Sequence, residues 1–334
     1  MDVKRLLAWY QANKRAMPWR GNPDAYAVWV SEIMLQQTRM ETVYGYFTRF
    51  MEAFPTFQSL AAAPMQDVLK AWEGLGYYSR ARNLKRAAES IRSLPDTIEG
   101  WRALPGVGPY TAAAIASVCL GVSAPVVDGN VSRVVARLCR LSGDTRGAPA
   151  RERLAGWLQP FIDRSGQPGE FNQAMMELGE TVCLPRSPKC SHCPFSQTCL
   201  AHAAGVEEQF PERRAKKTIP ERHALAFRLS DGQGRFLLVQ RPPDGLLGGL
   251  WELPNREAEK KTTAVSARPV FQARTGLSPT SVRYAGTVTH VFSHFRLQFH
   301  VYDVKASGKP GNGCVFALPD ALPLATATRK ALCL

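Results

Sequence analysis

The chain has 334 residues, 45% of them hydrophobic, with 42 Lys and Arg against 28 Asp and Glu, a formal charge of +14. That length and apolar content suit two or three globular units with their own cores, and the basic excess favours a polyanionic partner, leaving DNA, RNA and an anionic membrane surface open on charge alone. The uncharged stretch 103–127 has the length of a bilayer span, but Pro105, Gly106, Gly108, Pro109, Gly121 and Pro125 break it into a turn, one short Ala-rich helix and another turn, which reads as a buried core helix in place of a span.

Up to Cys199 the apolar spacing is helical, as in Val30, Ile33 and Met34 and then Val43, Tyr46, Phe47 and Phe50. Within Val28-Trp-Val-Ser-Glu-Ile-Met-Leu-Gln-Gln-Thr38, Glu32 lies opposite the Val30, Ile33, Met34 face, where a glutamate is ordinarily solvated. Val28, Trp29 and Leu35 flank it, however, so the helix is apolar almost all round. Partial desolvation there raises a carboxyl pKa toward that of a general acid. Further on, Leu104-Pro-Gly-Val-Gly-Pro-Tyr-Thr111 reads as a tight turn feeding a helix over Ala112 to Ser117. Gly106 and Gly108 would let backbone N–H groups approach a phosphate at the helix N-terminus, although an ordinary connecting turn looks the same. Asp128, in Val127-Asp-Gly-Asn130, is a turn former placed to cap the helix of Val131, Val134, Val135 and Leu138.

Cys183, Cys190, Cys193 and Cys199 follow in a Cys-x6-Cys-x2-Cys-x5-Cys pattern, a density that points to a metal centre. One Cys-x-x-Cys pair with two outlying cysteines favours a cubane iron–sulfur cluster over the two paired knuckles of most structural zinc sites. Zinc with mixed ligation through His192, and disulfides, are the alternatives. The N-terminus carries no secretory pattern, and Cys119, Cys139, Cys314 and Cys333 are scattered singly, so a reducing, cytoplasmic setting is expected. The polar stretch 205–221, with Pro211, Arg213, Arg214, Lys216, Lys217 and Pro220, reads as a linker. Beyond it, short alternating runs at 235–240, 287–292 and 296–302 predict a sheet with one or two helices.

The cysteine spacing and its basic surroundings, Leu184 to Lys189 with Arg186, resemble the cluster loop of the endonuclease III and MutY family of DNA glycosylases. Residues 104–111 are similar to that family's helix-hairpin-helix, and Ser-Glu-Ile-Met-Leu-Gln-Gln-Thr to the motif around its catalytic glutamate. Met17-Pro-Trp-Arg20, Gly74-Leu-Gly-Tyr-Tyr-Ser-Arg-Ala-Arg-Asn-Leu84 and Phe171-Asn-Gln-Ala-Met-Met-Glu-Leu-Gly179 are further resemblances. Leu247-Gly-Gly-Leu-Trp-Glu-Leu-Pro254 and Ala273-Arg-Thr-Gly-Leu277 look like a Nudix-type fold. Val270, Phe271, Gln272, Ala273 and Arg274 hold no carboxylate to bind a catalytic metal, so this part should bind without hydrolysing.

The resemblance implies a multidomain protein. Residues 1–204 would form an all-α helix-hairpin-helix glycosylase region, with a six-helix subdomain at 21–127 and an iron–sulfur subdomain from 1–20 and 128–204. A linker at 205–221 and an α+β Nudix-like domain at 222–334 would follow. It implies a monomer acting on duplex DNA that carries adenine opposite 8-oxoguanine or guanine. Glu32 would protonate the adenine and Asp128 stabilise the sugar cation, with Tyr110 and Asn130 shaping the pocket. Lyase members carry lysine at position 110; tyrosine there implies glycosylase chemistry alone. Trp19 and Arg20 would border the adenine, and Glu177 would meet the catalytic water. Gln37, Thr38, Leu75 and Tyr77 would meet the DNA, with Gln37 and Tyr77 as the wedge. Gly106 and Gly108 would grip phosphate, and Phe292, Ser293 and His294 would meet 8-oxoguanine. Cys183, Cys190, Cys193 and Cys199 would hold a structural [4Fe-4S] cluster. An endonuclease III-like lyase, a non-catalytic iron–sulfur damage-binding protein and a Nudix nucleotide hydrolase are the competing readings.

Overall fold

A computed structural model describes residues 1–21, 24–145, 147–212 and 218–334. Arg213, Arg214, Lys216 and Lys217, the charges that mark the expected linker, lie outside the described residues. Contacts divide the chain into two compact units: Met1–Gln58 with Arg86–Lys216, and Ser59–Lys85 with Lys217–Leu334.

Helices make up the first two hundred residues, as the spacing predicts. They are α1 (Val3–Asn13), α2 (Ala25–Leu35), α3 (Met40–Ala53), α4 (Phe57–Ala62), α5 (Met65–Ala71), α6 (Ser79–Ser90), α7 (Ile98–Arg102), α8 (Pro109–Cys119), α9 (Gly129–Cys139), α10 (Ala148–Ser165), α11 (Pro168–Thr181) and α12 (Leu200–Ala203). Local chemistry sets several of their starts. Asp24 caps α2 by accepting from the amides of Tyr26 and Ala27, Pro109 opens α8 where its missing N–H costs nothing, and Asp128 caps α9 through the amide of Val131 at 2.7 Å. The Ala-rich helix extends beyond the expected 112–117 at both ends. Among the described residues, no helix is long and apolar enough to cross a membrane.

One core of the first unit joins α1, α9, α10 and α11 through Leu6, Tyr10, Val131, Val135, Leu158, Phe171 and Leu178, with Phe195 from the cysteine region closing it. Helix α11 is its backplate, and two close approaches show how tightly it fits. A Cβ on Gly169 would lie 2.9 Å from the Ser117 carbonyl oxygen, and one on Gly179 would lie 2.6 Å from the Asn130 Cβ. Glycine at these positions lets α11 touch both α8 and the first turn of α9.

In the second unit β1 (Glu221–Arg228), β4 (Asn255–Ala258), β5 (Ser278–Val291) and β6 (Arg296–Ser307) form a sheet ordered β4-β1-β6-β5. A second sheet, ordered β3-β2-β7, comprises β2 (Phe236–Gln240), β3 (Trp251–Glu252) and β7 (Cys314–Ala317). The sequence predicts one sheet; there are two, because period-2 alternation marks a strand without saying which ladder it joins. Helix α13 (Ala264–Thr275) packs through Ala267 and Phe271 on Leu225, Phe227 and Tyr302, while α14 (Thr326–Leu332) packs through Ala327 and Ala331 with Ala224, Phe299 and Val301. Strand β1 therefore buries both alternating side-chain sets, as a central strand pairing with β4 and β6 should.

Residues 59–85 lie within the expected helical domain, yet they form a compact unit with the C-terminal chain. Their polar partners in that chain are more than a hundred residues away in sequence, so no local pattern announces this grouping.

Candidate active site

A cavity of about 150 Å³ opens in the first unit, lined by residues of α2, α8, α9 and α11 together with Trp19, Arg20 and Thr38. It brings together Glu32 from α2, Tyr110 from the first turn of α8, and Asp128 and Asn130 from the start of α9. The alternating apolar coat of α2 explains the setting of Glu32. Val28, Trp29, Val30, Ser31, Ile33 and Met34 are all buried around it, so the one carboxylate on the helix faces the cavity instead of solvent.

Burial pushes the Glu32 carboxyl up to about 7, and the nearby Asp128 charge adds to the rise. Arg20 and a hydrogen bond from Tyr110 work against it without cancelling it. Glu32 therefore carries a proton for much of the time at neutral pH. Asp128 is also raised by burial, against the hydrogen bonds it receives from the amides of Val131 and Asn130 and the charge of Arg133. Those donors sit at a helix N-terminus, which favours the anion. Tyr110 is raised well above its usual range by burial and by both carboxylates, so it stays a neutral phenol; its hydroxyl also lies 3.3 Å from Met176 Sδ.

Around this core the sequence expectations meet mixed outcomes. Trp19, buried against Phe47 at 5.0 Å, and Arg20 line the cavity. Glu177 also lines it, but both its carboxylate oxygens are engaged. Oε1 accepts from Arg15 Nε at 2.5 Å and Oε2 from Arg20 Nη2 at 2.9 Å. Burial alone would raise its pKa; the two arginines outweigh that and hold it below its usual value. Glu177 is a buried, ion-paired anchor for Arg15 and Arg20.

Thr38 lines the cavity, and Gln37 beside it is exposed with φ of 60°, a left-handed backbone that a non-glycine residue adopts only under constraint. Tyr77, in the second unit, shares this property: φ is 48° and the side chain is 43% exposed. Leu75 does not, since only 5% of it is exposed. Its side chain anchors the loop in the core. Gly106 closes the turn between α7 and α8 with φ of 81°, and Gly108 is the exposed N-cap residue of α8. Phe292, Ser293 and His294 cap the β5–β6 hairpin; Phe292 stacks on Phe295 at 4.5 Å, leaving Ser293 and His294 exposed.

The four clustered cysteines line a second cavity in the first unit, with Val134, Arg137, Phe195 and His202. Among the described residues, Cys190, His202 and Glu207 are the group of three whose ligand atoms converge within 4.8 Å; the four sulfurs do not converge as closely. His192, the expected zinc alternative, hydrogen-bonds Ser191 at 3.1 Å instead. Two arginines missed by sequence reasoning frame this region. Arg137, 2% exposed, donates to Cys183 Sγ at 3.3 Å and to the carbonyls of Leu184, Pro185 and Phe210. Arg133 donates to the Cys183 carbonyl at 2.7 Å and to Asn130 Oδ1 at 2.8 Å. Both stand on α9 one turn apart, a spacing that in sequence looks like a solvated basic face.

Residues 30–160 match the family model of the HhH-GPD superfamily of base excision DNA repair proteins, and residues 225–333 match a NUDIX domain. The chain is 37% identical to the human adenine DNA glycosylase over 91% of its own length and 67% of that protein. It is 32% identical to the adenine DNA glycosylase of Schizosaccharomyces pombe over 92% of its length and 83% of the relative. Among solved structures, a thermostable thymine-DNA glycosylase superposes with a TM-score of 0.52 at 27% identity, over 60% of this chain and 95% of the other. A helical repair domain followed in sequence by a Nudix-like domain, and identity of this level along nine-tenths of the chain, place it in the adenine DNA glycosylase family, the base-excision enzymes that release adenine from DNA.

Proposed function

We propose that this glycosylase removes adenine paired with 8-oxoguanine or guanine by hydrolysis alone, with Glu32 as the acid and Asp128 as the stabilising carboxylate. The observation that carries this is Glu32 itself: a carboxyl held near pKa 7 at a cavity wall shared with a second carboxylate. Such a group can deliver a proton to the departing base, and a purine leaves the sugar far more readily once protonated. As the glycosidic bond breaks, positive charge grows on the sugar, and the Asp128 carboxylate, oriented by the first amides of α9, opposes it electrostatically. Trp19 and Arg20 border the base, while Asn130 and Tyr110 fill the wall between the two acids. Tyr110 offers a phenol where a lyase would need an amine, so no imine forms and the strand is left intact at an abasic site.

Gln37 and Tyr77 serve as the wedge that offsets part of the few kcal/mol lost when the adenine is extruded. Gly106, Gly108 and the N-terminus of α8 hold backbone phosphate. The exposed Ser293 and His294 at the hairpin tip contact 8-oxoguanine. Helix α13 has no acidic side chain with which to bind a hydrolytic metal, which supports recognition without Nudix hydrolysis.

Cys183, Cys190, Cys193 and Cys199 would hold a [4Fe-4S] cluster. One zinc ion with sulfurs at about 2.3 Å draws its ligands to within about 4 Å of each other, closer than these four sulfurs stand, whereas a cubane spreads them around a shared cavity. Arg137, buried against Cys183, supplies positive charge toward the anionic centre. When bound, the cluster would act as a cross-link that shapes the exposed loop carrying Arg186 and Lys189. Cys193→Ser is expected to yield protein depleted of iron and acid-labile sulfide, measured on the purified chain; zinc in place of iron in the native protein would refute the assignment.

The reaction is tested with a duplex carrying one 8-oxoguanine:adenine pair. Strand breaks at the adenine that require alkali are the expected result. Breaks without alkali would mean lyase chemistry and a missed amine.

A further inference from the structure

The Tyr77 loop is fastened to the C-terminal chain at several points, all within the second unit. Gln66 donates to the Gly249 carbonyl at 3.1 Å and accepts from Trp251 Nε1 at 3.0 Å. Arg82, buried on α6, donates to the carbonyls of Gly248 at 2.9 Å and Gly245 at 3.2 Å. The carboxylate of Glu73 accepts from Lys70 at 2.7 Å, from the Leu324 amide at 3.2 Å and from Arg329 of α14, and Arg329 is braced in turn by Asp320 at 3.0 Å.

Glu73 is the residue before the 74–78 turn, which is closed on itself. Trp72 Nε1 donates to the Gly76 carbonyl at 3.1 Å, Arg80 to the same carbonyl at 3.0 Å, and the Gly74 amide to the Tyr78 hydroxyl at 3.0 Å. Gly74 and Gly76 take positive φ freely, but Tyr77, at 48°, does so at a cost, so its backbone keeps this shape only while its surroundings hold it there.

We propose that Glu73, Arg82 and Arg329 are positioning residues that make the Tyr77 loop part of the C-terminal domain, so that the wedge enters the duplex with that domain as its rigid backing. This rests on the reading of Tyr77 as wedge. An inserted side chain opens a base stack only if the backbone behind it does not recoil, and the loop's own few residues cannot supply that resistance. Glu73 fixes the stem of the loop to α14, and Arg82 fixes the far side to the turn before β3.

The test uses the full chain in single-turnover adenine release on two duplexes, one with the target adenine stacked opposite 8-oxoguanine and one with the same 8-oxoguanine:adenine pair flanked by mismatches that unstack the adenine. Arg329→Met and Glu73→Gln are expected to slow the stacked substrate by about tenfold, equivalent to about 1.4 kcal/mol. They should leave the unstacked one within about twofold, with Arg329→Lys restoring most of the loss. Equal slowing on both substrates would show general support of folding and overturn the proposal, as would no slowing on either. Tyr77→Ala serves as reference. If it discriminates between the substrates while Arg329→Met does not, the wedge stands and the backing falls; if Tyr77→Ala fails to discriminate, the wedge reading itself falls.

Discussion

Glu32→Gln is expected to slow single-turnover adenine release by about 10²–10⁴-fold, the span a positioned general acid supplies. Glutamine keeps the size and the hydrogen-bonding reach of the side chain but has no proton to give near neutral pH. The same change should erase a pH dependence. Release by the native protein should fall as pH rises through about 7, where Glu32 loses its proton, and the residual rate of the variant should lack that limb. A native profile flat between pH 6 and 8, measured under single-turnover conditions, would sink the assignment. Asp128→Asn removes one of the two causes that raise the acid, so it should move the falling limb to lower pH while slowing release through loss of sugar stabilisation.

The same Glu32→Gln substitution should raise stability. Glu32 titrates near 4.5 when unfolded and near 7 when folded, so between those values the native state holds the proton more tightly and stability falls as pH rises. Below the lower value both states are protonated and no penalty exists; above the upper one the full penalty remains. Gln removes it, so the inactive variant should unfold at higher temperature than the native chain at pH 7, by an amount corresponding to on the order of 3 kcal/mol at most. An inactive but stabilised variant is the signature of a site where function opposes stability.

Glu32 is legible in the sequence because a lone carboxylate on a helix apolar all round has nowhere comfortable to go. Asp128 is legible as a cap, and the cysteines as a spacing. These are local signals, set by neighbours within one or two turns. What stays hidden depends on partners distant in sequence. Arg137 and Arg133 occupy positions that look like an ordinary basic helix face until the cysteine loop folds over them. Arg15 pairs with Glu177 and Glu180 across more than 160 residues, and Asn172 ties Val126 and Ala124 to Ser117 with every polar atom of its amide engaged. The motif around Leu75 points it at the DNA, whereas alternation of exposure within a five-residue turn puts Tyr77 outside and Leu75 in the core.

Gly179→Ala carries the second large expected effect, and it tests how the site is built rather than which atoms react. The added methyl would sit 2.6 Å from the Asn130 Cβ and 3.0 Å from the Asn130 carbonyl carbon and oxygen. Much of that obstruction is backbone, so rotating a side chain cannot relieve it. Either α11 retreats or the first turn of α9 shifts by roughly 1 Å to reach ordinary contact. Arg133, which holds the Gly179 carbonyl and the Asn130 amide together, resists both movements. Overpacking of this kind costs about 1–3 kcal/mol, while displacing Asp128 with its helix start should cost about 10²-fold in rate. Gly100→Ala separates the two effects. Its methyl would meet Pro95 at 2.9 Å and Thr97 at 3.0 Å, within the α7 region, so it should lower the unfolding temperature while leaving adenine release near the native rate. If Gly179→Ala loses stability without losing more rate than Gly100→Ala, the close crossing of α11 and α9 holds the fold together but does not set the position of Asp128.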